Sequence, residues 1–389
     1  MIVNEIREIV SCEDFELGIK RENLLKYNVT YPSDKKVLAI VFVIPGFGED
    51  TNSDYLEKMR HYVANEFSVA VVNVFYHCFY SRLNNGASLE FDDSDIPFLE
   101  NSIVKHNIDF SDIKDITRDI ILDKFISTNK EIIIPMTLVP KNNEYQNFGV
   151  MQAIDHLNVL LDLKKNIKLL KSVEKTICFG SSHGGYISNM MSKIAPNVID
   201  YIVDNSSYVK PPLQYIVGKE KDVNFPEFIV TSNKLKIYCF VKTHWSMDKK
   251  SKYYFSSDRY RIRNIGDEEH LKLMSEFSKN KTKYIFYHSK HDAIASIEDK
   301  IDFVDNLHDC GYEIKLNIYK EENEVDGKFI KNLQHGMGMS IKELINRELP
   351  TILSSEFESE NSFNNMKYIC DNSTYSFDVS NSLYKCEKN

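Results

Sequence analysis

The chain has 389 residues, of which 42% are hydrophobic and 27% charged, enough apolar material for one large domain or two smaller ones. Its 57 acidic residues against 48 Lys and Arg give a net charge of −9 without any long basic run, which argues against nucleic acid and anionic membrane surfaces as partners. The seven cysteines (Cys12, Cys78, Cys178, Cys239, Cys310, Cys370 and Cys386) are scattered and form no C-x-x-C pair, which argues against a disulfide framework or a zinc site and for a reducing compartment.

The N-terminus, MIVNEIREIVSCEDFELGIK, carries acidic residues where a signal peptide needs a basic start and an apolar core. No apolar stretch approaches the length of a membrane span. These features lead to the expectation of a soluble, cytoplasmic protein. Val- and Ile-rich runs then recur at Val37–Pro45, Ser68–Tyr76, Lys175–Phe179, Val198–Asp204, Lys236–Val241, Thr282–His288 and Glu313–Lys320. Such runs predict strands buried on both faces, as in a parallel sheet. Helical patterns lie between several of them, at Asn52–Phe67, Val150–Lys165, Gly184–Ala195 and Ser296–Gly311. The alternation predicts an α/β fold with a mostly parallel central sheet flanked by helices.

Two stretches interrupt the alternation, about 81–145 and 205–280. Segments this long inside a compact domain are usually functional lids or inserted subdomains, so both are expected to form a lid or cap within a domain spanning 1–353. The remaining 354–389 is polar and Asn/Ser-rich and is expected to be a weakly packed C-terminal extension.

Chemistry enters at CFGSSHGGY, starting at Cys178. Gly180-Ser181-Ser182-His183-Gly184 matches G-x-S-x-G, a nucleophile elbow in which a strained turn between strand and helix presents a serine. Strand and helix pack closest two residues either side of the nucleophile. Centring on Ser182 puts Gly180 and Gly184 at those places, whereas centring on Ser181 would put Phe179 and His183 there, so sterics select Ser182. With 14 glycines in the chain, a chance match is expected on the order of 0.03–0.05 times.

A serine hydroxyl needs an adjacent base, itself oriented by a carboxylate. On this fold the chain order is Ser, then acid, then His. Asp292 follows the strand Thr282–His288, and His335 lies in FIKNLQHGMGMS after the next strand. Asp204 and Asp326 are rival acids. The oxyanion hole is expected to use the backbone N–H of His183 and a second N–H from IPGFGED, Phe47 first and Gly48 second. Arg82, Lys242 and His244, with Lys290 beside Asp292, form a basic set, and Trp245 adds a ring; together they suggest a clamp for an acidic sugar. Neither a metal nor an organic cofactor is implied.

From about Val37 to Leu353 these residues resemble the α/β-hydrolase superfamily. The strings VVNVFYHCFYSR, EYQNFGVMQAIDHLN, GSSHGGY, LQYIVGKE, VKTHW, YHSKHD and VDGKFIKNLQHGMG are similar to a bacterial family of that fold, domain-of-unknown-function family 2920, over the whole chain except the polar tail. The resemblance implies the triad Ser182, Asp292 and His335, and an association with bacterial surface-glycan and flagellar modification. Pro45 departs from better-known esterases, where a His often precedes the oxyanion glycine. The expected function is serine-dependent acyl transfer, as an esterase, deacylase or O-acyltransferase, on a small-molecule or carbohydrate acyl substrate. Ser182 argues against dehalogenases with an Asp nucleophile and lactone hydrolases with a Cys nucleophile. A small serine peptidase of the same fold, and a non-catalytic scaffold with a vestigial triad, remain as alternatives.

Overall fold

The computed structural model describes residues 1–47, 54–111, 116–278, 281–356, 362–380 and 383–389. In chain order the strands are β1 (Ile2–Ile9), β2 (Leu25–Pro32), β3 (Ala39–Ile44), β4 (Ala70–Phe75), β5 (Ser88–Glu90), β6 (Ile132–Val139), β7 (Lys175–Ser181) and β8 (Tyr201–Asn205). They continue with β9 (Phe228–Ser232), β10 (Leu235–Val241), β11 (Lys283–Ser289), β12 (Ile314–Tyr319), β13 (Met366–Cys370), β14 (Ser373–Ser380) and β15 (Leu383–Lys388). The chain divides into two compact units: Met1–Tyr76, Gly149–Pro211 and Ser256–Asn389 form the first, and His77–Phe148 with Pro212–Phe255 form the second.

The first unit is built on an eight-stranded sheet in the order β1-β2-β4-β3-β7-β8-β11-β12. β2 runs antiparallel to β1 and to β4, and every pairing from β4 through β12 is parallel. With its helices this is the α/β-hydrolase fold. β3, β4 and β8 are buried at every position, and β7 everywhere but its ends, as strands covered on both faces must be. Edge strand β1 instead alternates between half-buried and exposed residues along most of its length. Val41, Val43, Phe179, Val203 and Tyr287 share one apolar core with Met59 and Val63 of the helix Asp54–Phe67 and with Leu344 and Leu349 of the helix Ile341–Ser354.

Register aligns the strand ends along one edge of the sheet. Ile44 pairs with Gly180, Ser181 with Asn205, and Asn205 with Tyr287. The C-terminal ends of β3, β7, β8 and β11 therefore finish close to level. Ligands bind beyond that edge in open parallel sheets.

The second unit has its own four-stranded sheet, in the order β5-β6-β10-β9. Its boundaries differ from the expected 81–145 and 205–280. Asn205–Ser207 belongs to the first unit because it closes the end of β8, where the Ser207 N–H binds Asp204. The helix Ser257–Arg263 also belongs there, because the buried Arg263 guanidinium donates to Glu16 and the Arg263 carbonyl accepts from the Tyr186 hydroxyl.

The C-terminal residues are not weakly packed. β13, β14 and β15 form a three-stranded antiparallel sheet within the first unit. Tyr368, Tyr375, Phe377 and Tyr384 are fully buried. The Tyr384 hydroxyl donates to the Ile194 carbonyl at 2.9 Å and its backbone N–H to Asn158 Oδ1 at 2.6 Å. The polar residues are the outward half of an alternating pattern, in which Met366, Tyr368 and Cys370 point inward. Replacing Tyr384 with Ala should therefore cost roughly 3–5 kcal/mol, the range for emptying a buried aromatic site. Urea unfolding measures this, and a loss below about 1 kcal/mol would mark the tail as peripheral.

Candidate active site

Ser182 stands between the end of β7 and the helix His183–Ile194, at φ 52° and ψ −116°. A residue with a Cβ rarely adopts that backbone, which costs on the order of 1–3 kcal/mol. Close packing holds it there. A Cβ on Gly180 would lie 2.4 Å from the Gly185 nitrogen, and one on Gly184 would lie 2.0 Å from the Ile44 carbonyl oxygen. The start of the helix thus lies directly against the backbone that leads from β3 into Phe47. The Ser182 N–H donates to the Asn205 carbonyl at 2.7 Å, and its carbonyl accepts from Tyr186 N–H at 3.1 Å.

The Ser182 Oγ lies 2.6 Å from His335 Nε2, and His335 Nδ1 lies 2.9 and 2.8 Å from the two Asp292 oxygens. Asp292 Oδ1 also accepts from the backbone N–H groups of Ile294 and Ala295, each at 2.9 Å. Burial opposes ionisation of Asp292, but the bonds from His335, Ala295 and Ile294 outweigh it and hold the carboxyl below its ordinary range. A carboxylate can only accept, so His335 Nδ1 carries the hydrogen and the lone pair of a neutral ring sits on Nε2, toward the serine hydroxyl. The His335 turn is pinned by Asn205 Nδ2, which donates to the Gly336 carbonyl at 3.1 Å.

The rival acids are committed elsewhere. The fully buried Asp204 accepts from Lys300 Nζ at 3.0 Å, Asn189 Nδ2 at 2.9 Å and the Ser207 N–H at 3.0 Å. Asp326 Oδ1 caps a turn, accepting from the N–H groups of Lys328, Phe329 and Ile330. The His183 ring is buried and bonded to Gln152 and Tyr208, and the half-buried Phe47 packs against it. Gly48 lies outside the described residues. Neither Gln152, Tyr208 nor Lys300 was found from the sequence, because partners brought from distant segments leave no local pattern.

Of the expected substrate residues, Arg82, Lys242, His244 and Trp245 lie in the second unit, and Lys290 lies in the first. Lys242, His244 and Trp245 border one cavity of about 460 Å³, together with Asp92, Asp93 and Glu220. Trp245 does not offer a stacking face: it is 2% exposed, its indole N–H donates to the Asn147 carbonyl at 3.2 Å, and Phe255 packs edge-on against it. Arg82 does not border that cavity; it interacts with the half-buried Glu227 and lies 5.8 Å from the Phe228 ring centre. Burial, and then the charges of Lys242 and Lys252, lower the His244 pKa and so disfavour its cationic form. Among the described residues no group of His, Cys, Asp and Glu is arranged to hold a metal ion, and no helix is long and apolar enough to cross a membrane.

The family model described as Protein of unknown function (DUF2920) matches residues 5–386. The chain belongs to this family. No curated protein matches it. Among solved structures it is similar to Est1E from Butyrivibrio proteoclasticus, at 10% identity and a TM-score of 0.44, covering 90% of this chain and 99% of that one. It is also similar to the acylaminoacyl peptidase of Pyrococcus horikoshii, at 13% identity and a TM-score of 0.48, covering 93% of this chain and 43% of that one. A puromycin-hydrolysing peptidase of Mycobacterium tuberculosis matches at 12% identity and a TM-score of 0.44, covering 90% and 39%. The chain spans less than half the length of the peptidases it matches. At this identity and superposition the likenesses assign no activity to it.

The buried imidazoles His156 and His183 carry a consequence for stability. Burial pushes His156 down to about 4 and His183 down to about 3. In the unfolded chain both return to about 6.5, so between these values the unfolded state binds more protons. Stability is full above pH ~6.5 and is lost as pH falls toward the folded values, by a few kcal/mol in order of magnitude. The urea midpoint should therefore fall between pH 7 and pH 5, before most carboxylates titrate, and fall less in His156→Gln. A flat midpoint over that window would contradict the buried neutral rings.

Proposed function

We propose that the protein is a serine-dependent acyl-transfer enzyme, with Ser182 as nucleophile, His335 as base and acid, and Asp292 as the carboxylate that orients His335. The supporting observation is the continuous chain from Ser182 Oγ through His335 to Asp292, with spacings of 2.6 and 2.8 Å. As Ser182 attacks an acyl carbonyl, its proton passes to His335 Nε2, and the imidazolium is stabilised by Asp292. The backbone N–H groups of His183 and Phe47 meet the oxyanion. His335 then protonates the leaving group and afterwards activates water or an acceptor hydroxyl, so hydrolysis and transfer share one acyl-enzyme.

For the substrate we favour an O-acyl ester of a carbohydrate. The second unit holds a cavity of its own, bordered by Lys242 and His244, whose volume falls within the size range of ligand sites. Its carboxylates Asp92, Asp93 and Glu220 offset Lys219 and Lys242, so a hydroxyl-rich neutral ligand suits it better than the acidic sugar suggested by the cations alone.

A fluorophosphonate should label Ser182 and not Ser181, and Ser182→Ala should abolish turnover while remaining folded. Asp292→Asn should lower kcat by roughly 10³–10⁴-fold. Adduct on Ser181, or a crippling Asp204→Asn beside a silent Asp292→Asn, would sink this assignment. Acyl loss from O-acetylated neutral and acidic sugars, followed by mass spectrometry, tests the substrate class. Turnover of simple aryl esters with none on any sugar would remove the carbohydrate and leave the serine chemistry.

A further inference from the structure

His183 follows the proposed nucleophile, and its side chain is fully buried. Both ring nitrogens are engaged: Nε2 meets Gln152 Oε1 at 2.7 Å, and Nδ1 meets the Tyr208 hydroxyl. One backbone group fixes the direction of both bonds. The Gly149 N–H can only donate, and it meets the same Gln152 atom at 2.9 Å. That atom is therefore the amide oxygen, and His183 Nε2 must carry the hydrogen that reaches it. Nδ1 is then a lone pair, to which the Tyr208 O–H donates. Burial keeps the ring in this neutral form.

Aromatic rings close around it. Phe47 stands edge-on at 5.5 Å and 87°, and Tyr186 stacks at 6.0 Å and 25°. The next two residues, Gly184 and Gly185, have no side chain with which to anchor the first turn of the helix. The ring of His183 supplies that anchor. The two proposed oxyanion donors come from separate segments, Phe47 after β3 and His183 after β7, and such donors must be held to within about 0.5 Å. Gly184 brings their backbones together, and the edge-on contact between Phe47 and His183 joins them through side chains.

We propose that the His183 imidazole is the positioning residue of the oxyanion hole: clamped by Gln152 and Tyr208, it sets the aim of its own N–H and of the Phe47 segment. This rests on the acyl-transfer reading above. The ring itself touches no reacting atom. A misaimed donor weakens transition-state binding while leaving ground-state binding nearly intact.

The test is kinetic, on the full chain, with active sites titrated by the fluorophosphonate so that rates refer to folded enzyme. On whichever ester the wild type turns over, His183→Phe should lose roughly 10–100-fold in kcat with KM changed less than about threefold. His183→Gln, which can still donate to Gln152, should recover part of the loss. A boronic acid that forms a tetrahedral adduct on Ser182 should bind more weakly in step with kcat/KM. Tyr208→Phe removes a single hydroxyl and covers the case in which His183→Phe does not fold; it should lose roughly 3–10-fold in kcat, the size of one hydrogen bond. Unchanged kcat per titrated site in Tyr208→Phe, or a loss confined to KM, overturns the positioning role and leaves the serine enzyme standing. A wild type that neither labels nor turns over any ester overturns both.

Discussion

The approach of the helix His183–Ile194 to the end of β3 is the contact on which the rest of the site depends. With 2.0 Å between an imagined Gly184 Cβ and the Ile44 oxygen, no residue but glycine fits without moving backbone. Gly180 faces the same constraint from Gly185. This closeness lets β7 turn into its helix within one residue, and that residue, Ser182, takes the left-handed φ. A strained backbone persists only when its surroundings over-determine it. Here β3, β7 and β8 are buried side by side, so relaxing the turn would disturb the core of the sheet.

Two neighbouring strand ends each carry a buried aspartate, and their surroundings give them different work. Asp204, at the end of β8, is satisfied by a lysine, an amide and a loop N–H. It ties the helix after Ser182 to the loop after β8 and, through Lys300, to the helix Ile297–Asp309. A carboxylate so bound has no oxygen left to orient an imidazole. Asp292, beyond β11, takes only two backbone N–H groups and leaves both oxygens within reach of His335. Removing either partner of the buried pair Asp204–Lys300 would strand a charge, which is the costly way to break such a pair.

The sequence was most informative where burial on both faces forces continuous apolar runs. All seven expected strands exist, although Lys236–Val241 pairs within the smaller sheet. β1 escaped notice because an edge strand keeps polar residues on one face. β6, in EIIIPMTLVP, escaped because it lies inside the stretch 81–145, read as an insertion, and because Pro135 interrupts its run. The tail was misjudged because Asn and Ser dominate its composition, while its fold is set by every second residue, Tyr368 and Tyr375 among them. Ser182 was legible because sterics demand glycines at fixed offsets. The meeting of Asp292 with His335 was foreshadowed by the order of strands. The engagement of Arg82 with Glu227 and the packing of Trp245 were not, since a long side chain's partner is chosen by tertiary structure.

Charge is distributed unevenly around Ser182, and the pattern suits the proposed chemistry. The acidic and basic side chains Asp292, Asp204 and Lys300 are reached through His335 or through the helix that follows the elbow. Among the described residues, those packed around the His183 ring are neutral: the buried His156 imidazole, the amide of Gln152, and the rings of Phe47, Tyr76 and Tyr208. A carboxylate placed there would repel the developing oxyanion. A lysine would attract it, but would also draw competing anions into the free site. Fixed N–H dipoles in an apolar wall avoid both outcomes, because they act most strongly on the charge that appears only in the transition state. A neutral, doubly bonded His183 is consistent with that requirement, since a protonated ring would put a full charge beside a site designed around dipoles.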